Sequence, residues 1–371
     1  MKIFLTTCCL LCAQAAHAVD ISKAADKAPA SGWAVFTDVD FWRAYDAFPI
    51  SQFDRRWSDY TPRAGRNTFF QRDHAIVGVA HNGWRLGWEF RQDAVLHADR
   101  ATLDAVYLYR NRAHPDQAAS FAVQADYTAM QSAGLRIGRA FDGPTLAGRP
   151  VRVDVSGAVY TGQQYRTVGV SGTVTYASTN TYGFDVVHHD ANTRATFPFL
   201  DGGNTNAKGT SLSIGAAISL TSRWTTQLQA DDLLSHMRWK RLPVTDEAIR
   251  SNVTSYDDNG YLNYRPLLSG RNQQVERAVS IPRHTVATLT YDDGQWGLEA
   301  QWTRYAGIHI PTFSVVHHFP ALTLRGNVET RFDTLGIGLD SGFFHVLVQA
   351  DRFNLAKSKA QRTYLYYALP F

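Results

Sequence analysis

The segment Trp84-Arg-Leu-Gly-Trp-Glu-Phe-Arg-Gln-Asp93 alternates apolar and polar side chains without a slip. Successive residues of a β-strand point to opposite faces, so Trp84, Leu86, Trp88 and Phe90 share one face and Arg85, Glu89, Arg91 and Asp93 the other. The dyad recurs. Phe121, Val123, Ala125 and Tyr127 oppose Gln124 and Asp126, and Val168, Val170, Val174 and Tyr176 oppose Thr167, Ser171, Thr173 and Thr175. Leu212, Ile214, Ile218 and Leu220 oppose Ser213, Gly215, Ala217 and Ser219, and Trp296, Leu298, Ala300 and Trp302 oppose Glu299, Gln301 and Thr303. Residues 322–331 and 344–351 repeat it, and no helical period of any length intervenes. Such a chain is all-β, with one apolar face per strand. A soluble sandwich would bury that face against a second sheet. A transmembrane barrel would turn it to lipid and keep a polar lumen. The small and charged residues of the opposite face favour the barrel, as do Trp33, Trp84, Trp224 and Trp296 at predicted strand ends, where an interfacial girdle belongs.

Strands are predicted near 33–43, 68–80, 83–95, 102–111, 118–129, 133–141, 150–160, 165–177, 181–190, 210–220, 223–234, 281–292, 295–305, 310–318, 321–330, 333–340, 343–353 and 361–371. This gives an antiparallel, up-and-down barrel of about 18 strands, or about 16 without the weaker segments 133–141 and 310–318. The long connections 44–67, 191–209, 235–280 and 354–360 then share one end. Short turns such as His81-Asn82, Thr221-Ser222, Asp293-Gly294 and Ser341-Gly342 share the other. Short turns belong in the periplasm and long loops outside the cell.

Residues 1–18 read as a cleaved signal peptide, with Lys2 as its positive region, Ile3 to Leu11 as its apolar run and Ala16-His17-Ala18 as its cleavage site. Residues 19–32 would be a short periplasmic leader and 33–371 one barrel domain. Cleavage would remove Cys8, Cys9 and Cys12, leaving neither disulfides nor thiolate ligands. It would also remove one lysine, so the formal +4 of the whole chain becomes +3. That balance gives no argument for nucleic acid or for a polybasic membrane patch. No apolar stretch after residue 18 is long enough for a transmembrane helix. The hydrophobic fraction of 44% does not separate barrel from globule, because every second residue of a barrel strand faces the lumen.

The chain closes on Thr363-Tyr-Leu-Tyr-Tyr-Ala-Leu-Pro-Phe371, in which Leu365, Tyr367, Leu369 and Phe371 share one parity. This ending resembles the last strand of Gram-negative outer-membrane β-barrels. There a terminal aromatic, with hydrophobic residues two and four positions earlier, marks the chain for the barrel-assembly machinery. The resemblance extends at class level over almost the whole region after the signal, and in size and ends it is to porins. It implies contact with outer-membrane lipids and an even strand count that sets Phe371 at the periplasmic rim. Pro370 departs from the usual porin ending. No amino-terminal plug domain and no helical repeat arm are seen.

The inferred lumen face carries Arg85, Glu89, Arg91, Asp93, Asp104, Arg110, Asp126, Arg136, Arg152, Asp154, Glu299, Arg325, Glu329, Arg331 and Asp351. Mixed charges of this kind hold water across a constriction or cross-link a closed interior, and they set no ion selectivity. The stretches 44–67 (Arg55, Arg56, Trp57, Arg63, Arg66) and 235–280 are candidate lids. His188-His189 and His317-His318 sit in matching contexts, but adjacent strand residues face opposite ways, and no metal site or cofactor is expected. Neither Gly-x-Ser-x-Gly nor His-Glu-x-x-His occurs, so an enzyme is not expected. The leading expectation is a porin-like channel that passes or binds small polar solutes. The alternatives are a non-conducting barrel acting as a partner, adhesin or export component, and a membrane-embedded hydrolase.

Overall fold

The computed structural model describes residues 32–177, 181–200, 205–251, 254–256, 262–264 and 267–371. The predicted signal peptide and all but the last residue of the predicted leader lie outside these residues. In chain order the elements are β1 (Trp33–Tyr45), β2 (Arg66–His81), β3 (Trp84–Asp99), α1 (Arg100–Asn111), β4 (Ala119–Leu146), β5 (Arg149–Ala177) and β6 (Thr181–Asn192). There follow β7 (Asn206–Ser219), β8 (Trp224–Arg250), β9 (Thr254–Tyr256), β10 (Leu262–Tyr264), β11 (Leu268–Val279) and β12 (His284–Asp292). The remainder are β13 (Trp296–Tyr305), β14 (Ile308–His318), β15 (Thr323–Glu329), β16 (Thr334–Asp340), β17 (Phe344–Ala350) and β18 (Ala360–Pro370).

β1 to β5, β7, β8 and β12 to β18 pair in turn, all antiparallel, and β18 returns to β1 from Ala34↔Pro370 to Ala44↔Ala360. The result is a closed barrel of 14 strands. Closure leaves no free edge in the ring, which is what a bilayer demands of a sheet. The apolar faces lie outside: Trp88, Phe90, Leu298 and Trp302 are 48–58% exposed, while Glu89 and Asp93 are 1% exposed inside. That inversion excludes the sandwich and fits a wall facing lipid; the chain is an outer-membrane barrel. Trp33, Trp84, Trp224 and Trp296 all fall at the short-turn end as one girdle. Each packs on a neighbour, as with Trp33 on His81 (4.5 Å) and Arg139 over Trp84 (4.9 Å).

Fourteen staves replace the sixteen to eighteen expected, for three reasons. Residues 102–111 belong to α1, whose N-cap Asp99 accepts a hydrogen bond from the Thr102 N–H. Segments 118–129 and 133–141 are one strand, β4, and segments 150–160 and 165–177 are one strand, β5, whose pairing slips at a bulge opposite Gln131/Ser132. β6 pairs the upper part of β5 and of β8 instead of joining the full ring. Together with β11, which pairs the other side of β8, it extends the wall beyond the membrane as a sheet in the order β4-β5-β6-β8-β11. Most of the predicted loop 235–280 is therefore strand.

The stretch 44–67 does not lie over the lumen. Phe48 and Trp57 pack with Tyr45, Phe69, Ala94, Ala98 and Leu103. Phe69, Ala94 and Ala98 have the outward parity of β2 and β3, opposite to the inward Phe70 and Asp93. The loop and α1 therefore clothe the outside of the wall at its long-loop end. Leu365, Tyr367 and Leu369 lie on the outward face of β18, and Phe371, one residue past its end, donates its N–H to the Trp33 carbonyl (2.9 Å).

Candidate functional site

The lumen is the site, and it narrows to a waist filled by side chains. Arg91 of β3 donates through Nη1 and Nη2 to Asp232 (both 3.0 Å) and through Nε to Asp93 (2.8 Å). Asp232 stands on β8, four staves round the ring. Asp93 also accepts from the Tyr305 hydroxyl (2.9 Å) on β13, six staves away and nearly opposite in a ring of 14. These are chords across the lumen, not ladders along one wall. Around them Arg136 donates to Glu89 (2.8 Å), as does the Tyr160 hydroxyl (2.6 Å), and Ser211 donates to Asp232 (2.6 Å). Glu89, Arg91, Asp93 and Asp232 are each 1–3% exposed. Charges so buried persist only when paired and hydrogen-bonded, and these are.

Backbone irregularity makes the cluster. Between Leu212 and Ile214 the pairing of β7 with β8 slips, and Asp232 adopts a positive φ of 55°. Strict alternation would send only one of Asp231 and Asp232 inward. The bulge sends both: Asp232 to Arg91, and Asp231 to His284 (2.9 Å) and Arg72 (3.5 Å).

Toward the long loops the inward faces become apolar. Met130, Tyr160, Tyr165, Ala207, Met237, Trp239, Leu242 and Val244 form one buried layer. Trp42, Phe70, Tyr305, Ile310 and Phe332 form another on the other arc. Trp239 lies flat on β5 because residue 162 is glycine; a Cβ there would stand 2.6 Å from Trp239 Cη2 and 2.7 Å from Ala207 Cβ. Toward the short turns the lumen opens into a cavity of about 250 Å³ with a mixed wall. Asp40 there is held by Arg72 (2.5 Å) and Arg362 (2.9 Å), Asp154 by Arg85, and Glu299 by Arg325 (2.8 Å). Asp38, between Ile76 and Tyr366 in register, is the one cavity carboxylate without an ion pair or hydrogen bond among the described residues.

Of the residues expected in the lumen, Arg85, Glu89, Arg136, Arg152, Asp154, Glu299, Arg325 and Glu329 line this cavity, and Arg91 and Asp93 fill the waist. Asp126 is exposed on the inward parity of β4 near the mouth, beside His97 in register. Four others lie elsewhere. Asp104 and Arg110 are on α1, where Asp104 accepts from Tyr60 (2.6 Å) and Arg110 reaches the Asp54 carbonyl. Arg331 sits on the turn after β15, bound to Asp46 (2.6 and 2.8 Å). Asp351 follows the end of β17 and caps the next loop through Ser358, Lys359 and Ala360. Asp38, Asp40, Arg72, His74, Asp231, Asp232, His284 and Arg362 were missed. For Asp38 and Asp40 parity alone would have found them, since both share a face with Trp42 on β1. His189 and His318 stand at opposite ends of the barrel, the first bound to Asp246 (2.6 Å) and the second to Asp292 (3.1 Å).

Fold and site together define a closed transmembrane β-barrel whose lumen is bridged at mid-height by an ionic waist. No family model and no curated protein matches the chain. Among solved structures it is similar to a TodX deltaS2S3 mutant monoaromatic hydrocarbon channel, at 10% identity over 97% of this chain and 96% of that one, with a TM-score of 0.47. It is also similar to the P. putida toluene transporter TodX (10% identity, 94% and 92% covered, TM-score 0.43). For the Ralstonia pickettii toluene transporter TbuX the figures are 8% identity, 97% and 96% covered, and TM-score 0.26.

Proposed function

We propose that the protein is a gated channel for small solutes with an apolar body, shut at its waist in this conformation. One observation carries the reading: the waist charges are tied across the lumen and buried, while the inward face above them is apolar. A freely open polar porin keeps its lumen charges in water, where they set selectivity. Here a solute entering from the long-loop end crosses the apolar layer of Trp239, Met237 and Leu242 before it reaches the waist charges. Passage then requires Arg91 to part from Asp232. The cavity beyond is near the lower end of ligand-pocket sizes, which suits a small guest. This replaces the expected polar solute with one that shows an apolar face to the lining.

Uptake by intact cells expressing the protein tests it, with a labelled small hydrocarbon and a labelled disaccharide side by side. The hydrocarbon should enter faster than in cells without the protein, and the disaccharide should not. Equal gains for both would overturn the solute class. The same pairing also favours a second reading, a non-conducting barrel. In planar bilayers the purified protein should be mostly silent and Arg91→Ser should produce frequent openings; persistent silence of the variant would select the second reading.

A further inference from the structure

On the outward face, β7 and β8 change character in step. Their register pairs Leu212 with Leu234, Thr210 with His236, Lys208 with Arg238 and Asn206 with Lys240. Read from the short turns upward, these rows pass from apolar to neutral polar to cationic. The apolar part of β8 runs from the girdle residue Trp224 to Leu234, which is 65% exposed. Counted along β7, which lacks the extra residues of the bulge, the same rows run from Leu212 to one residue past Ser219, and at roughly 3.3 Å per residue and a tilt of about 40° they cover a height of about 20 Å, most of a barrel's lipid band. The Lys208–Arg238 row lies four residues beyond Leu212 and Leu234 along each strand. It therefore stands roughly 10 Å above Leu212 and Leu234 by the same geometry, just beyond a band of about 25 Å and at the level of outer-leaflet head groups.

The charges there are only partly spent on the protein. Arg238 pairs with Glu276 (2.5 Å). Lys208 and Lys240 are exposed and make no ion pair or hydrogen bond among the described residues, although the Lys240 charge lies near enough to Glu276 to act on it. Other outward cations are paired: Arg43 is matched by Asp73 (2.5 Å) and Arg166 by Asp190 (2.9 Å).

We infer that Lys208, Arg238 and Lys240 bind the phosphate of a phosphorylated glycolipid in the outer leaflet, with its acyl chains against Leu212 and Leu234. Ammonium and guanidinium groups on one face make charge-assisted hydrogen bonds to a phosphate monoester, and each such cation near a lipid surface adds to the attraction. The apolar rows below are continuous with the patch, so one lipid satisfies both. The site lies outside the lumen and does not depend on whether the lumen conducts.

Native mass spectrometry of the purified full-length protein tests this. The probes are a bis-phosphorylated lipid A, the same glycolipid without its phosphates, and inorganic phosphate. The double variant Lys208→Gln/Lys240→Gln should retain the phosphorylated lipid about tenfold less than the parent. Arg166→Gln should leave retention unchanged, and the dephosphorylated lipid should bind parent and double variant equally weakly. Heat-modifiable migration on a gel confirms that each variant is folded, and Lys208→Arg/Lys240→Arg should restore binding if the glutamine pair does not fold. Equal retention by parent and double variant overturns the proposal. So does displacement of the lipid by millimolar inorganic phosphate, which would make this a site for a free anion.

Discussion

Arg91 is the residue on which the waist turns. It contacts Asp93 and Asp232, is itself 1% exposed at its side chain, and has Glu89 at 4.0 Å. Removing one partner from a buried ion pair costs more than the pair contributes, because the other charge is left stranded. Arg91→Met should therefore destabilise the barrel by about 3–5 kcal/mol in denaturant titrations from lipid vesicles. Arg91→Met/Asp232→Leu should recover part of that loss; a double variant no better than the single one would mean that Asp232 is not the stranded charge. Gly162 gives a second test at this scale. Gly162→Val must push Trp239 off β5, so tryptophan emission should shift to the red and stability fall by about 1–3 kcal/mol, the usual range for overpacking. An unshifted spectrum would show that the layer yields elsewhere.

Among the elements, the upper sheet depends on contacts in water, notably His189–Asp246 and His188–Glu247 across the β6–β8 seam. The hydrogen bond from His189 holds the Asp246 carboxyl below its usual range. A carboxylate depressed in the folded state adds stability above its unfolded pKa of about 4 and loses it as pH falls through the folded value. Amide exchange over Asp185–Ala191 should accordingly rise relative to β13 as the medium is acidified below pH 4. Asp246→Asn should abolish that acid-dependent increment. If the variant keeps it, the seam is not held there. The same elements show what alternation could and could not reveal. Segments such as Trp84–Asp93 were legible because each apolar residue meets lipid and each charge meets the lumen. β5 and β8 were not, because the bulge opposite Gln131/Ser132 and the one at Arg241, with φ of 53°, reset the parity, while that at Leu212/Ile214 inserts extra residues without changing it. A reset reads as an interruption in the sequence. α1 was misread because Leu103, Ala105, Tyr107 and Tyr109 mimic a dyad. The contacts that matter, Leu103, Val106 and Tyr107, follow the helical period instead. The waist was half legible: parity pointed to Arg91 and Asp93, but their partners come from strands several staves distant, and no local pattern encodes that.

For the molecule as a whole, closure between β1 and β18 is what makes the fold a membrane protein. Leu365, Tyr367 and Leu369 complete the lipid-facing side of that seam, and Phe371 joins it to Trp33. Phe371→Ser should lower the fraction of protein reaching the heat-modifiable state in cells, with little change in the stability of the barrel that does form. Undiminished assembly would leave Phe371 with a packing role only. The wall is also of uneven height. β4, β5 and β8 run for 28, 29 and 27 residues, whereas β15, β16 and β17 run for 7 each. The rim is thus cut obliquely, like the mouth of a quill. A molecule sliding over the cell surface meets a low sill on the β15–β17 flank and a palisade on the other. The entrance has a compass direction within the plane of the membrane, and neighbours crowded against the low flank would govern access without touching the waist.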